Sequence, residues 1–511
     1  MEKSSRKWLS LVAMSLGVFM GLLDVTVVNV ALPTMQEAFN EPFNQLQWVL
    51  NAYTLTFAVT LLIVSKMGDM YGRKKIFLSS LVLFVIASVV NGFASTLLVL
   101  DIGRVFQAIG GAGMMSLSMA LVASNFEGKE RGLALGILGS VIGLSTASGP
   151  LVGGLLVDSF GWESIFFVNL PVGIVAVFLT IRYVNETPSY GKDQKIDLIG
   201  MFLSAAVLFT AIYGLIQKET NQSWTWTDPR VGGWLVAAVV LLAVFIYAET
   251  KIKYPMMNLK MFKSAHFVGS VIVAFSLGAG IYAFNTYLTV LMQNYIGWSA
   301  FETGIRQLAY SSWSLVLGPI VGILGSKFSK KWMIVVGLGS AFIGFFVLMQ
   351  QLAPDMGYAQ LWPTLILIGI GNGIVNPVLN TAGLEGIAAE EMGMGSGLLN
   401  VFRQFGTSFG VVILGLVEAN RYTEVFTQKT AELDVPTKLS EAITQAGPFS
   451  GNTIVQSDAV SKLPFATELQ KIVGESFTQG MLMICYVTAG VVLIGALCAM
   501  FLMRDRKEAT E

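Results

Sequence analysis

Asp24 is the residue of this chain best placed to do chemistry. It lies about two-thirds of the way along an unbroken apolar run, residues 9–32, too deep for its short side chain to reach an interface. An ionised carboxylate at that depth is costly and as a rule faces an internal cavity. Desolvation favours its neutral form and a nearby cation favours its charged form. Exposed alternately to two sides, such an acid loads and releases a proton, and the same charge attracts a cationic ligand. The competing reading is a static hydrogen bond to a Thr or Asn on a neighbouring helix. Asn29, five residues on, points away from the Asp24 face at about 100° per residue and is expected to pack between helices.

Three further constellations stand in apolar runs. Arg104 has Asp101 at i−3 and Gln107 at i+3, one polar stripe on one helix face; an Asp101–Arg104 pair near an interface is its static reading. Asn372, Asn376 and Asn380 repeat at steps of four beside Pro377. Amides in a lipid-embedded helix must face protein or water, so they are expected to line a cavity or to bind helices together. Asn400, Arg403 and Gln404 open another run. Tyr53, Phe57, Phe284, Tyr287, Tyr310 and Trp313 are aromatic candidates for an apolar pocket, with packing as the alternative for each.

Other chemistries find no residues. The one histidine is His266 and the two cysteines, Cys485 and Cys498, share one apolar run. No metal site, disulfide framework or catalytic cluster is expected, and no cofactor. No Gly-x-x-x-x-Gly-Lys-Ser/Thr loop occurs, which argues against ATP-driven pumping. A sensor would carry a signalling domain, and only eight residues follow Met503. No nucleic-acid partner is expected.

The elements that hold these residues must be membrane helices. The chain has 511 residues, 54% hydrophobic and 13% charged, with a mean hydropathy of +0.67; a soluble chain carries about 25% charged residues. A bilayer core needs about 20 apolar residues per helix. Fourteen such spans are predicted, near 9–32, 46–65, 76–95, 97–123, 132–157, 163–184, 198–217, 231–249, 266–290, 303–325, 332–351, 360–382, 396–419 and 480–503. The first is read as a retained helix rather than a signal peptide. Most of the 32 lysines and arginines fall on one set of connections, among them Lys66 to Lys75, Lys129, Arg131, Lys192, Lys195, Lys251 to Lys263, Lys327 to Lys331 and Arg504 to Lys507. By the positive-inside rule that side, with both termini, is expected to be cytoplasmic. An even span count agrees.

A polar loop of about 420–479, with turn signals at Pro436, Gly447–Pro448 and Gly451–Asn452, joins the last two spans on the outer side. It is either a small ordered cap or a solvated linker. The segment Ser65–Lys75 returns in worn form as Gly325–Lys331, with Ser326 where the first copy has an acid. Spans 2 and 10 would then be equivalent, dividing the chain into an N-terminal six-helix bundle (1–190), two inserted helices (191–257) and a C-terminal six-helix bundle (258–511), with a path at the interface of the repeats. Gly132, Gly136, Ser140, Gly143, Ala147, Pro150 and Gly154 form a small-residue face on span 5. Such faces allow close helix contact in lipid, and Gly149–Pro150 is expected to add a bend. A hinge between bundles and pure packing are both consistent with this stripe.

These motifs, taken in order, make the chain resemble the major facilitator superfamily, specifically its fourteen-span drug:proton antiporter branch. The resemblance is carried by Leu23-Asp24-Val25-Thr26-Val27-Val28-Asn29-Val30-Ala31-Leu32-Pro33, the Lys66–Lys75 loop, Arg104-x-x-Gln107 with Gly110–Gly111, Ser148-Gly149-Pro150 with Gly153–Gly154, Phe166 to Gly173, and Asn400-x-x-Arg403-Gln404-x-Gly406. Ser65, Met70, Ser145 and Glu163–Ser164 depart from the usual pattern. The resemblance implies an all-α membrane fold of two six-helix bundles plus two inserted helices, and an exporter rather than an enzyme. It implies roles in proton coupling for Asp24 and Arg104, with Asp101 beside them. It implies a breakable latch in which Asp69, next to the turn at Gly72, caps a helix N-terminus and Arg73 meets an acid. Gly149, Pro150, Gly153, Gly154 and Arg403 belong to its structural and gating motifs. Asp24, Tyr53, Gln107, Tyr287, Trp313, Asn372, Asn376 and Asn380 are expected to line the substrate cavity. The expected function is proton-coupled export of amphipathic, cationic drugs by a monomer in the cell membrane, its partners being the small-molecule cargo, protons and the bilayer. Export of a metabolite, siderophore or peptide-like product is the alternative.

Overall fold

In a computed structural model, residues 3–41, 43–188, 197–221, 223–325, 327–431, 435–457 and 459–504 are described. Lys192, Lys195, Ser326, Arg506 and Lys507 lie outside them, as do the side chains of Lys3, Pro33, Lys129, Ala147 and Pro150. Among the described residues the regular structure is entirely helical. In chain order the α-helices are α1 Lys3–Phe39, α2 Phe43–Tyr71, α3 Arg73–Gly92, α4 Leu97–Asn125, α5 Gly128–Phe160, α6 Ser164–Phe167, α7 Asn169–Tyr183, α8 Leu198–Thr220, α9 Gly232–Lys251, α10 Ala265–Ser276, α11 Ala283–Val290, α12 Ala300–Leu324, α13 Lys330–Gln351, α14 Tyr358–Ala382, α15 Met392–Thr430, α16 Thr437–Gln456 and α17 Ala466–Leu502.

Among the described residues thirteen helices are long and apolar enough to cross a bilayer. Two are composite: α6 runs into α7, and α10 and α11 are joined and followed by π-turns at Leu277–Tyr282 and Leu291–Tyr295. The 33-residue α5, wedged between α1 and α12, completes fourteen. Local chemistry sets their ends. Thr96 caps α4, Asp197 caps α8, and Ser299 with Glu302 forms a capping box on α12, each accepting from an otherwise orphaned backbone N–H. Gly72, at φ +107°, makes the turn from α2 to α3 that only glycine adopts without strain.

Apolar side chains face outward as well as inward. Ile86, Phe106, Phe178, Val239 and Phe346 are all exposed, as a lipid-facing surface requires. The pair α8–α9 packs on itself and touches the rest through α8 against α2 and α15. The predicted bend at Gly149–Pro150 does not interrupt α5, which is one helix through both residues. The long connection near 420–479 is largely helical. There α15 continues to Thr430, α17 starts at Ala466, and α16, kinked at Gly447 (φ +64°), lies between them.

Close approach is greatest between α5 and α12. A Cβ on Gly132 or Gly136 would overlap the carbonyl oxygens of Gly322 and Gly318, and one on Gly143 would meet Ser314. The α5 stripe therefore meets a matching stripe on α12, Ser314, Gly318 and Gly322, which the sequence reading had not singled out. Gly149 and Gly153 face another way, onto Thr26 and Val27 of α1.

Candidate transport site

The helices α1 and α4 bring Asp24, Arg104 and Gln107 together. Arg104 and Asp24 form an ion pair with no side-chain exposure on either partner. Arg104 Nη1 donates to Asp24 Oδ2 and, at 2.8 Å, to Gln107 Oε1; Arg104 Nε donates to the Val49 carbonyl at 3.1 Å. Gln107 Nε2 donates to Asp24 Oδ1 at 2.8 Å and to Ser88 Oγ at 2.7 Å, and its Oε1 accepts from Asn91 at 2.8 Å. Every oxygen of Asp24 is thus bound by a donor, with a full cation among them. Removing one member of such a buried pair costs about 3–5 kcal/mol, because the other is left uncompensated.

The partner differs from the one the sequence suggested. Asp101 does not pair with Arg104; its Oδ1 is buried without a hydrogen-bond partner among the described residues. The guanidinium crosses to α1 instead, where the fully desolvated Asp24 carboxylate offers a stronger field than a half-buried one on its own helix.

Tyr53 of α2 closes this cluster off. Its ring lies 4.2 Å from the Arg104 guanidinium and its hydroxyl donates to the Gly21 carbonyl at 3.1 Å. Tyr53 also lines a central cavity of about 170 Å³, small beside the ~300–1,000 Å³ of sites that enclose drug-sized ligands. Leu22, Thr26, Asn29 and Tyr53 line it from the first half of the chain, and Tyr282, Asn285, Arg403 and Gln404 from the second.

Several expected cavity residues therefore lie elsewhere. Asp24 and Gln107 are buried beside Arg104 and do not line the cavity. Tyr287 is buried with its hydroxyl on the Val411 carbonyl at 2.5 Å, and Trp313 presents its backbone to Gly373; neither lines the cavity. Asn372, Asn376 and Asn380 are buried one layer back, because α14 packs tightly on α12 and α13. Asn372 donates to Ser314 at 3.2 Å, and Asn376 donates to Asn372 at 2.6 Å and to the Tyr282 hydroxyl at 2.7 Å. Arg403 donates to Asn376 at 3.3 Å and to Asn400. The amide stripe thus reaches the cavity through Tyr282 and Arg403. Asn29 is exposed and lines the cavity rather than packing between helices, since only its own Val25 carbonyl engages it.

At the face carrying the basic loops the two halves are tied together. Asp69 of α2 accepts from the backbone N–H groups of Gly393 and Met394 at 3.2 and 3.0 Å, at the positive end of α15. Arg73 donates to Asp69 at 2.6 and 2.8 Å, to Ser124 at 2.7 Å and to the Ala389 carbonyl at 2.8 Å. Glu186, unremarked in the sequence, accepts from the N–H groups of Lys74 and Lys75 at 2.9 and 3.1 Å and occupies the space a Cβ at Gly72 would need. In the second half Lys330 pairs with Glu385.

The cavity-lining residues missed were Thr26, Tyr282 and Asn285. Asn285 and Thr286 were visible as polar residues in an apolar run. That they and Tyr282 face the cavity depends on the π-turns, which hydropathy does not report.

The fold and the chain's relatives agree. It is 32% identical over 510 residues to the tetracenomycin C resistance and export protein of Streptomyces glaucescens, covering 97% of this chain and 91% of that one. It is 33% identical over 412 residues to the multidrug resistance protein Stp of Mycobacterium tuberculosis, covering 80% and 76%. The solved proton:xylose symporter XylE superposes with a TM-score of 0.63 over 97% of this chain and 95% of that one at 13% identity, a likeness of fold. Residues 14–411 match the family model of the Major Facilitator Superfamily, and with fourteen helices arranged as described the chain belongs to that superfamily of membrane transporters.

Proposed function

We propose that the protein exports amphipathic organic compounds, drugs among them, by exchanging them for protons at Asp24. The observation that carries this reading is the buried Asp24 carboxylate, held by Arg104 and Gln107, beside Tyr53, which also lines a cavity built by both halves of the chain. Protonating Asp24 releases Arg104 from its counter-ion, and the guanidinium must then find new partners. A proton and a shift in how α1 packs on α4 are thereby linked without ATP. Relatives named for multidrug resistance and antibiotic export support export as the direction.

In this reading the basic face is cytoplasmic, with both termini there, and the protein acts as a monomer. The two repeats, 1–190 and 258–511, rock across α5–α12, and 191–257 is an insertion at their flank. The latch at Asp69 keeps the cytoplasmic side shut while the cavity is small. The sealed position of Asp24 belongs to this closed conformation, and Tyr53 is the group that must move for cargo and proton to compete. A cationic cargo follows from that competition.

The test is transport by the full chain in proteoliposomes with an imposed proton gradient. Substrate accumulation should need the gradient, and adding substrate should drive proton movement. Accumulation unaffected by collapsing the gradient overturns the coupling.

A further inference from the structure

Glu418 of α15 is a carboxylate the mechanism above does not use. It is fully buried, and neither of its oxygens has a hydrogen-bond partner among the described residues. The cations nearest it along α15 are engaged elsewhere, Arg421 with Glu424 and Lys429 with Glu475. On the membrane side α17 closes in, where a Cβ on Gly480 would come 3.0 Å from Glu418 Cγ. The titratable groups around it are phenols: Tyr422 one turn along α15, and Tyr287 and Tyr295 from the facing helix, both within electrostatic reach of its charge. Glu219, exposed at the end of α8, faces the same Tyr287. None of these supplies a positive charge. An ionised, unpaired carboxylate in such surroundings is not sustainable.

The kinked helix α16 covers this site at the face opposite the basic loops. Tyr295 donates to the Pro448 carbonyl at 2.7 Å, Asn452 donates to the Asn294 carbonyl at 2.6 Å, and Gly451 sits against the Tyr422 hydroxyl. The kink at Gly447 divides α16 beside these contacts.

We propose that Glu418 is a second proton-binding site of this protein, in the half of the chain opposite Asp24, and that α16 is the cover controlling its exchange with the outer solution. With α16 down, the acid holds its proton; with α16 raised, water reaches the carboxylate and the proton leaves to solvent. Its part in transport rests on the proton-coupled reading above, but its occupancy does not.

Infrared spectroscopy of the full-length protein in lipid, without substrate or gradient, reads the site directly. At neutral pH a protonated-carboxyl stretching band should be present, move on carbon-13 labelling of glutamate, vanish in Glu418→Gln and persist in Asp24→Asn. In Glu418→Asp the band should leave the glutamate-labelled set, which covers the case of a glutamine variant that does not fold. Asn452→Ala should speed deuterium exchange of that band at least tenfold. Absence of a glutamate band in wild type, or its survival in either Glu418 variant, overturns the site; unchanged exchange in Asn452→Ala overturns the cover. Because the measurement involves no transport, a failure here is distinct from a failure of Asp24 in the gradient assay.

Discussion

The ring of Tyr53 lines the central cavity and also lies 4.2 Å from the Arg104 guanidinium, fixed by its hydroxyl on the Gly21 carbonyl. Tyr53 thus touches both the space where cargo would sit in the proposed mechanism and the cation that holds the proposed proton carrier. Arg104, being cationic, gains from the aromatic face as well as from the carboxylate.

Removing that ring should connect the compartments. Tyr53→Ala is expected to produce a substrate-independent proton leak in proteoliposomes, while Tyr53→Phe, which loses only a hydrogen bond worth about 0.5–1.5 kcal/mol, should stay tight. A leak-free alanine variant that still inserts would end the role of Tyr53 as a shutter.

Asp24→Asn should abolish gradient-driven export while the protein still inserts. Arg104 is then left without an anion in a fully buried site, so the thermal midpoint should drop, in line with a cost of up to about 3–5 kcal/mol. Gradient-driven export at wild-type rate by this variant would remove Asp24 from the mechanism.

The glycine contact of α5 with α12 makes a positional prediction. Gly318→Val should overpack the interface against Ser140, costing about 1–3 kcal/mol and lowering transport at least tenfold. Gly339→Val, on α13 where a Cβ meets nothing within 4 Å, serves as the matched control and should transport normally. Equal transport by both variants would show that close approach at this seam does not matter.

Asp69→Asn should loosen the latch at the basic face, since a neutral amide gives up both the attraction of the α15 terminus, about 0.3–1 kcal/mol, and the charge that Arg73 binds through two N–H groups on Oδ1. A cysteine placed at Ser396, buried beneath the latch with its hydroxyl on the Ser116 carbonyl, should then react faster with a membrane-impermeant thiol reagent. An unchanged labelling rate would mean that Asp69 does not hold this face shut.

Much of this architecture was legible in the residues alone. Apolar run length dictated the spans, because a bilayer tolerates only helices that satisfy their own backbone. The depth of Asp24 marked it as a group needing a partner, and the spacing of Gly132, Gly136, Ser140 and Gly143 marked a face made for close contact. Tertiary structure alone decided which partner each face met. Arg104 turned to Asp24 rather than Asp101 because the choice depends on which helix packs opposite, and spacing along one helix carries no such information. The asparagines of α14 fell one layer behind the cavity, and Asn29 fell on it, for the same reason. Glu418 stands beside the predicted span end at 419, and only the packed chain shows α15 continuing past it to Thr430 with α16 against its neighbours Tyr422 and Tyr295. Hydropathy reports how far a residue is from the edge of an apolar run; only the packed chain reports what covers it.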